Sequence, residues 1–400
     1  MAADNDLYPF VALNIEQMKQ VGSSENVTIL VHLDVNRPQT GKATERYVIE
    51  QHQTVPCDTS CSAMDSGAEE TLYDAMQWAI DSYPSEHFGV IFWNHGSGDV
   101  NAFGGIDVSA LFSYNADTRS LDFDQAAAPM SLFAQPHEQY RRICYDESSL
   151  NFLDDGKIKR VFDAIRDQYQ KKIDIVMFDA CFMAGIGTVA LLYPYVDYMV
   201  GSEEVVLGLG YNYRLVFQAL AEHNMTPKEL ARHVVHVYEK MYRPVTKQYT
   251  HSALQLSHSP ALLDAINECA TLLCSLCKCE GDEIIDHIFK NKLYDACIYF
   301  GDGSCYVDLA DFVKHLGKHI DAHEVSEDAY AIAYDLVRCL DDIREALHTV
   351  VIANVVGDDV VSAGGVSLYL PKKQLHTSFL MSEFALHNAW HDFLLLYVHG

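Results

Sequence analysis

The chain has 400 residues, 56 of them acidic and 28 basic, for a formal net charge of −28. That charge repels phosphate backbones and anionic lipid, so nucleic acid and membranes are excluded as expected partners; it favours basic peptides or cations, or simply maintains solubility. With 49% apolar and 21% charged residues, the composition is that of a globular protein rather than a disordered or fibrous one.

The length exceeds the usual size of one hydrophobic core, so one large domain with insertions and one core with a subdomain both fit. No positively charged start followed by an apolar stretch opens the sequence, so no signal peptide is read. The run Val27–Leu33 is β-branched and aliphatic and predicts a buried strand ending at Asp34 and Asn36. Glu69–Ile80 follows with helical spacing of Leu72, Met76, Trp78 and Ile80. A second strand, Phe88–Trp93, leads into Asn94-His95-Gly96-Ser97-Gly98. Residues 99–140 lack periodicity and carry Gly, Ala, Asn, Pro and Asp, so they are expected to form a long surface insertion.

Beyond the insertion, an amphipathic helix over 157–169 precedes the strand Ile173–Phe178, which ends in Asp179-Ala180-Cys181-Phe182-Met183. The uncharged run Ala180–Val196 approaches membrane-spanning length, but Gly185, Gly187 and Pro194 make a buried helix the better reading. Tyr198–Gly201 and Gly365–Leu370 also read as strands. Residues 214–350 are mainly helical in pattern, notably 228–241 and 327–347, with a strand-like piece at 296–300. Strands alternating with helices predict an α/β fold with a mainly parallel sheet. The expected division is a catalytic core over 1–213 carrying the insertion, a helical subdomain over 214–350, and a C-terminal strand and helix over 351–400 that complete the core.

Eleven cysteines is an odd number without regular disulfide spacing, so at least one thiol stays unpaired within a monomer. Cys57 and Cys61 share a loop and could pair or remain free. Cys269, Cys274, Cys277 and Cys279 could in principle hold zinc, but helical periodicity over 262–276 spreads them around a helix, and no metal site is assigned.

The chemistry is concentrated at two strand ends. A cysteine needs a base or a positive field to become an effective nucleophile, and a histidine commonly supplies it, so His95 and Cys181 form a candidate pair; either alone could equally be a buried structural residue. Gly96 directly follows His95, so its N–H can approach a substrate carbonyl and, with the N–H of Cys181, form an oxyanion hole. Asp179 stands two residues before the cysteine and leans to the same face, where a carboxylate suits the floor of a pocket for Arg or Lys.

These segments resemble the clostripain-like cysteine peptidases, relatives of caspases, gingipains and legumain. The resemblance rests on Met1–Leu7, Asn94–Gly98, Tyr145-Asp146-Glu147-Ser148, Asp179–Met183, Gly201-Ser202-Glu203-Glu204, Gly365–Pro371 and Trp390. It implies a caspase-like three-layer α/β sandwich, a monomer, and a Cys–His dyad with no obligatory third member. It further implies cleavage of peptide or protein substrates after basic residues. Cys181 is then the nucleophile, His95 the general acid/base, Gly96 and Cys181 the oxyanion donors, and Asp179 the selector of the basic side chain. Members are often zymogens cut between the His and Cys motifs, which makes Arg141-Arg142 a candidate self-cleavage site. No cofactor is implied; calcium dependence occurs in some relatives, but no ligand loop for it is recognisable.

Two departures qualify the resemblance. Where members commonly carry a second acidic residue for the basic side chain, this chain has Leu209, which weakens the selection of Arg or Lys and allows a neutral P1 residue. The start resembles the end of the family's internal first strand without its apolar half. A longer N-terminal segment, with any targeting signal, is therefore expected before Met1, or else the sheet has an unfilled central position. Relatives are often secreted. An inactive member that binds basic peptides in the same acidic cleft is the alternative reading.

Overall fold

The computed structural model describes residues 1–57, 63–99, 112–115, 120–123, 142–281, 284–301, 305–321, 325–372 and 375–399. Its first strands are Ala2–Ala3 (β1), Leu30–Arg37 (β2), Gly41–Glu50 (β3), Gln53–Pro56 (β4) and Gly89–Trp93 (β5). A hairpin of Phe112–Asn115 (β6) and Ser120–Phe123 (β7) follows, then Ile143–Asp146 (β8), Asn151–Leu153 (β9), Ile173–Asp179 (β10) and Val196–Gly201 (β11). The last five are Thr250–Gln255 (β12), Tyr299–Phe300 (β13), Tyr306–Asp308 (β14), Val351–Val356 (β15) and Ser367–Tyr369 (β16).

The sheet that carries the strand ends has the order β15-β12-β11-β10-β5. β5, β10 and β11 are parallel, as expected, while β12 and β15 extend the sheet in antiparallel fashion. Every residue of β10 is buried, so helices or loops cover both faces of the sheet. Of the two aspartates in this strand, the one near its start is accommodated at the strand entry: Asp174 accepts the Phe88 N–H at 2.8 Å and fixes the entry of β5 beside β10. A second sheet, β1-β2-β3-β4, adds a parallel β1–β2 pair to an antiparallel meander. The predicted strand over 27–33 is displaced toward Arg37, because β3 pairs along it as far as Gly41. β1 is only two residues long. Side chains tie it to β5: Asn94 at the end of β5 donates to the Ala2 carbonyl at 2.6 Å.

The helices follow the sequence pattern closely. Asp155–Tyr169 is capped by Asp154, which accepts the Lys157 N–H, and ends at Gln170 in the left-handed region. Pro227–Tyr242 starts with a Thr226/Glu229 capping box, a device worth about 1 kcal/mol, and packs against β10, β11, β12 and β15. Ser259–Glu280 and Tyr330–Val350 pack against each other. The segment Leu256–Glu280 is long and apolar enough to cross a membrane. Its inward residues, Leu262, Ile266, Leu273 and Leu276 among them, are buried in the common core. Cys269, Cys274 and Cys277 are buried along the same helix and Cys279 is exposed.

Two elements depart from the expected division. The region 214–350, read as helical, contributes β12 to the central sheet; its sequence, Thr-His-Ser-Ala-Leu-Gln, is too polar to announce a buried strand, and buried partners satisfy its polar groups. Ser202 Oγ donates to the Thr250 carbonyl at 2.7 Å, and Ser252 Oγ donates to the Gly365 carbonyl at 2.6 Å. β15, not the strand near Gly365, completes the central sheet. β16 pairs instead with β14 in a three-stranded sheet, β13-β14-β16, and meets the cysteine segment through a bridge between Gly185 and Ser367. Of the expected insertion, Asp99 and the β6–β7 hairpin are described and the remainder lies outside the described residues, as does Cys61.

Candidate active site

The register of β5 on β10 decides the geometry. Trp93 stands opposite Asp179 in a parallel pair, and His95 and Cys181 each follow two residues later. The two chemical groups are therefore delivered side by side at one sheet edge, the place where open α/β sheets form clefts. A cleft there is lined by His95, Asp179 and Cys181 with Leu7, Trp93, Val205, Val206 and Leu207.

The backbone around the thiol is constrained. Phe182, directly after Cys181, has φ of 60°, a rarely occupied region for a non-glycine residue that turns the chain sharply out of β10. Gly96 abuts this turn: a Cβ there would lie 2.4 Å from the Cys181 carbonyl oxygen and 3.1 Å from its nitrogen. Only glycine allows the His95 segment to close on the Cys181 peptide. If Gly96 has the oxyanion role expected from the sequence, Gly96→Ala pushes the two peptides apart and lowers kcat by about 10²-fold, the cost of spoiling one donor. Steady-state kinetics on the folded variant checks this, and an unchanged kcat would remove Gly96 from the oxyanion site.

The thiol itself is enclosed. Cys181 is 7% exposed; its Sγ–H donates to the Val206 carbonyl at 3.7 Å and the Val206 N–H donates to Sγ at 3.3 Å. Burial, with smaller contributions from the carboxylates of Glu204 and Asp179, pushes the thiol up to about 12. Opposite it, His95 is largely covered, and its Nε2 lies 2.5 Å from Asp6 Oδ1.

Asp179 is held from behind. The Tyr211 N–H at 3.1 Å and the Tyr213 hydroxyl at 2.7 Å both donate to Oδ2, and burial outweighs these bonds to raise the carboxyl to about 6. Gly210, with φ of +60°, passes so close that a Cβ would meet the carboxylate oxygens at 2.4 and 2.5 Å. The Tyr242 hydroxyl donates to the Gly210 carbonyl at 2.7 Å and fixes that passage. Gly208 and Gly210 line the cleft; Leu209 between them is half-buried against the core, and its carbonyl accepts from Asn14 Nδ2 at 3.4 Å.

The dibasic pair is corrected in one half. Arg141 lies outside the described residues. Arg142 is no solvated loop residue: it is 1% exposed, its Nε lies 2.6 Å from Asp155 Oδ1, and Nη2 donates to Thr188 Oγ1 at 3.5 Å. Such a guanidinium would have to be extracted from the core to enter an active site. The sequence patterns did not single out Asp6, Trp93, the Val205–Leu207 segment or Tyr213. The first of these had a usable signal, its place in the Met1–Leu7 segment that carries part of the family resemblance; the others are ordinary core residues until the cleft is assembled.

The family model described as the clostripain family matches residues 1–104 and 109–393. Among solved structures, the chain resembles an inactive zymogen protease from Parabacteroides distasonis, with 16% identity, a TM-score of 0.61, and coverage of 98% of this chain and 95% of that one. It also resembles a secreted cysteine protease from Bacteroides thetaiotaomicron in complex with an irreversible peptide inhibitor, with 17% identity, a TM-score of 0.61, and coverage of 98% and 97%. These likenesses establish the caspase-like fold. No curated protein sequence matches the chain.

Proposed function

The chain belongs to the clostripain family of cysteine-type endopeptidases, and on that premise we propose that it hydrolyses peptide bonds through a Cys181–His95 dyad, on the carboxyl side of Arg or Lys. The observation that carries this reading is the paired register of β5 and β10, which puts His95 and Cys181 in one cleft with Asp179 between them and the core.

In the proposed cycle a bound substrate displaces the Val205–Leu207 segment from the thiol. Cys181 Sγ gives its proton to His95 and attacks the scissile carbonyl carbon, and the N–H groups of Gly96 and Cys181 hold the developing oxyanion. The C–N bond then breaks as the protonated His95 gives its proton to the leaving amine. Water, deprotonated by His95, cleaves the thioester to release the acid product and the free thiol. The displacement step rests on the resting contact: the Val206 carbonyl and N–H both engage Sγ and cover it, and burial pushes the thiol up to about 12. Self-cleavage between the His and Cys motifs remains part of the proposal, with Arg141 as the residue before the cut, since Arg142 is buried.

The carboxylate of Asp179 supports a basic P1 residue. A specific observation favours a second reading, a neutral P1 residue: Asp179 is already bonded by Tyr211 and Tyr213 and covered by Gly210, and Leu7, Trp93, Val205, Val206 and Leu207 give the cleft an apolar wall. Profiling a peptide library with every residue at P1 separates the two. Under the main reading kcat/KM for Arg and Lys exceeds that for Leu and Met by about 10-fold or more, the scale expected of one charge-assisted contact. A reversal of that order selects the neutral reading, and no hydrolysis at any P1 residue contradicts both.

A further inference from the structure

We propose that Asp6 is the positioning residue of His95, making the catalytic apparatus a Cys–His–Asp relay of contacts rather than an unsupported dyad. The inference rests on the Cys181–His95 reading and adds a residue to it. Asp6 Oδ1 lies 2.5 Å from His95 Nε2. An ionised carboxylate only accepts hydrogen bonds, so this contact puts a proton on Nε2 and leaves Nδ1 as the ring nitrogen that exchanges its proton with substrate and water.

The contact belongs to an anchored turn. Asn5 Oδ1 accepts the Leu7 N–H at 3.0 Å and Asn5 Nδ2 donates to the Tyr145 carbonyl at 2.9 Å. Asp4 is paired with Lys42 at 3.0 Å, and the Asp4 carbonyl accepts the Glu147 N–H at 2.8 Å. On the histidine side, Asn94 Oδ1 accepts the Tyr145 N–H at 2.9 Å, so His95 and Asp6 are both fixed to the same strand, β8. This shared support keeps the carboxylate aimed at the imidazole although the Asp6 side chain is 43% exposed.

Asp6→Asn and Asp6→Ala, prepared in the full chain beside His95→Ala, test the proposal by the split between kcat and KM and by rescue in the conservative variant. Asp6→Ala is expected to lower kcat by about 10-fold or more, with KM within about 2-fold, because the histidine loses its orientation but the substrate pocket is untouched. Asp6→Asn retains an acceptor for the Nε2–H, so it recovers part of the kcat lost in Asp6→Ala. Thermal unfolding at wild-type temperature, expected for this exposed side chain, separates these effects from misfolding. Wild-type kcat in both Asp6 variants, with His95→Ala inactive, would overturn the role of Asp6 and leave the dyad standing. A fully active His95→Ala would instead remove the reading on which the proposal rests.

Discussion

Cys181→Ala is expected to fall below wild-type peptide hydrolysis by at least about 10⁴-fold, because among the described residues no other thiol or hydroxyl lines the cleft to carry the acyl group. Asp179, the nearest alternative, is buried behind Gly210 and bonded by two tyrosine-derived donors, so it cannot take over the attack. The substitution removes one sulfur atom from the edge of a packed turn and leaves β10 intact, so folding should change by only about 1 kcal/mol. Progress curves with a basic-P1 peptide measure the first quantity and urea unfolding the second. Full turnover by the variant would eliminate a cysteine mechanism at this position.

Arg142→Ala should have the largest effect on stability. The guanidinium is enclosed with Asp155 and Asp99, whose carboxyl groups are both buried and both feel its charge. Removing it strands two acids in the core, a change that costs about 3–5 kcal/mol. The pH dependence has a definite sign. Burial already raises Asp155 to about 6, so the folded form binds that proton more readily than the unfolded chain, and loss of Arg142 raises both carboxyls further. The deficit is therefore greatest above neutrality and shrinks as the pH falls through about 6, where protonation relieves the unpaired charges. Denaturant unfolding at pH 8 and pH 5 measures it. An equal deficit at both pH values would mean that Arg142 acts by packing alone. Because Asp99 and Arg142 are the nearest described residues on either side of the insertion, this network also holds both of its ends to the core, and the Ser97 N–H donates to the Arg142 carbonyl at 3.0 Å.

The parts of the fold legible in the sequence were those in which one periodicity dominates. β5 and β10 are apolar runs with abrupt polar ends, and the helices over 155–169 and 227–242 have clear amphipathic spacing and caps. β3 and β12 escaped notice because their polar residues are satisfied only by distant partners: Arg37 on Glu45 at 2.7 Å in the first sheet, and Ser202 on Thr250 in the second. At the site, His95, Gly96, Cys181 and Asp179 could be named from short motifs, since the chemistry resides in the motif itself. The covering of the thiol by Val206, the tie of the Leu209 carbonyl to Asn14 and the approach of Asp6 depend on contacts across 25 or more positions of sequence, which no local pattern carries.

Peptide mapping after reaction with an irreversible peptide ketone bearing Lys at P1 tests the central claim most directly. The account predicts a single adduct on Cys181, absent from the other cysteines, formed in step with loss of activity and greatly slowed in His95→Ala. An adduct on a different cysteine that abolishes hydrolysis, or full hydrolysis by a protein completely modified at Cys181, would contradict it.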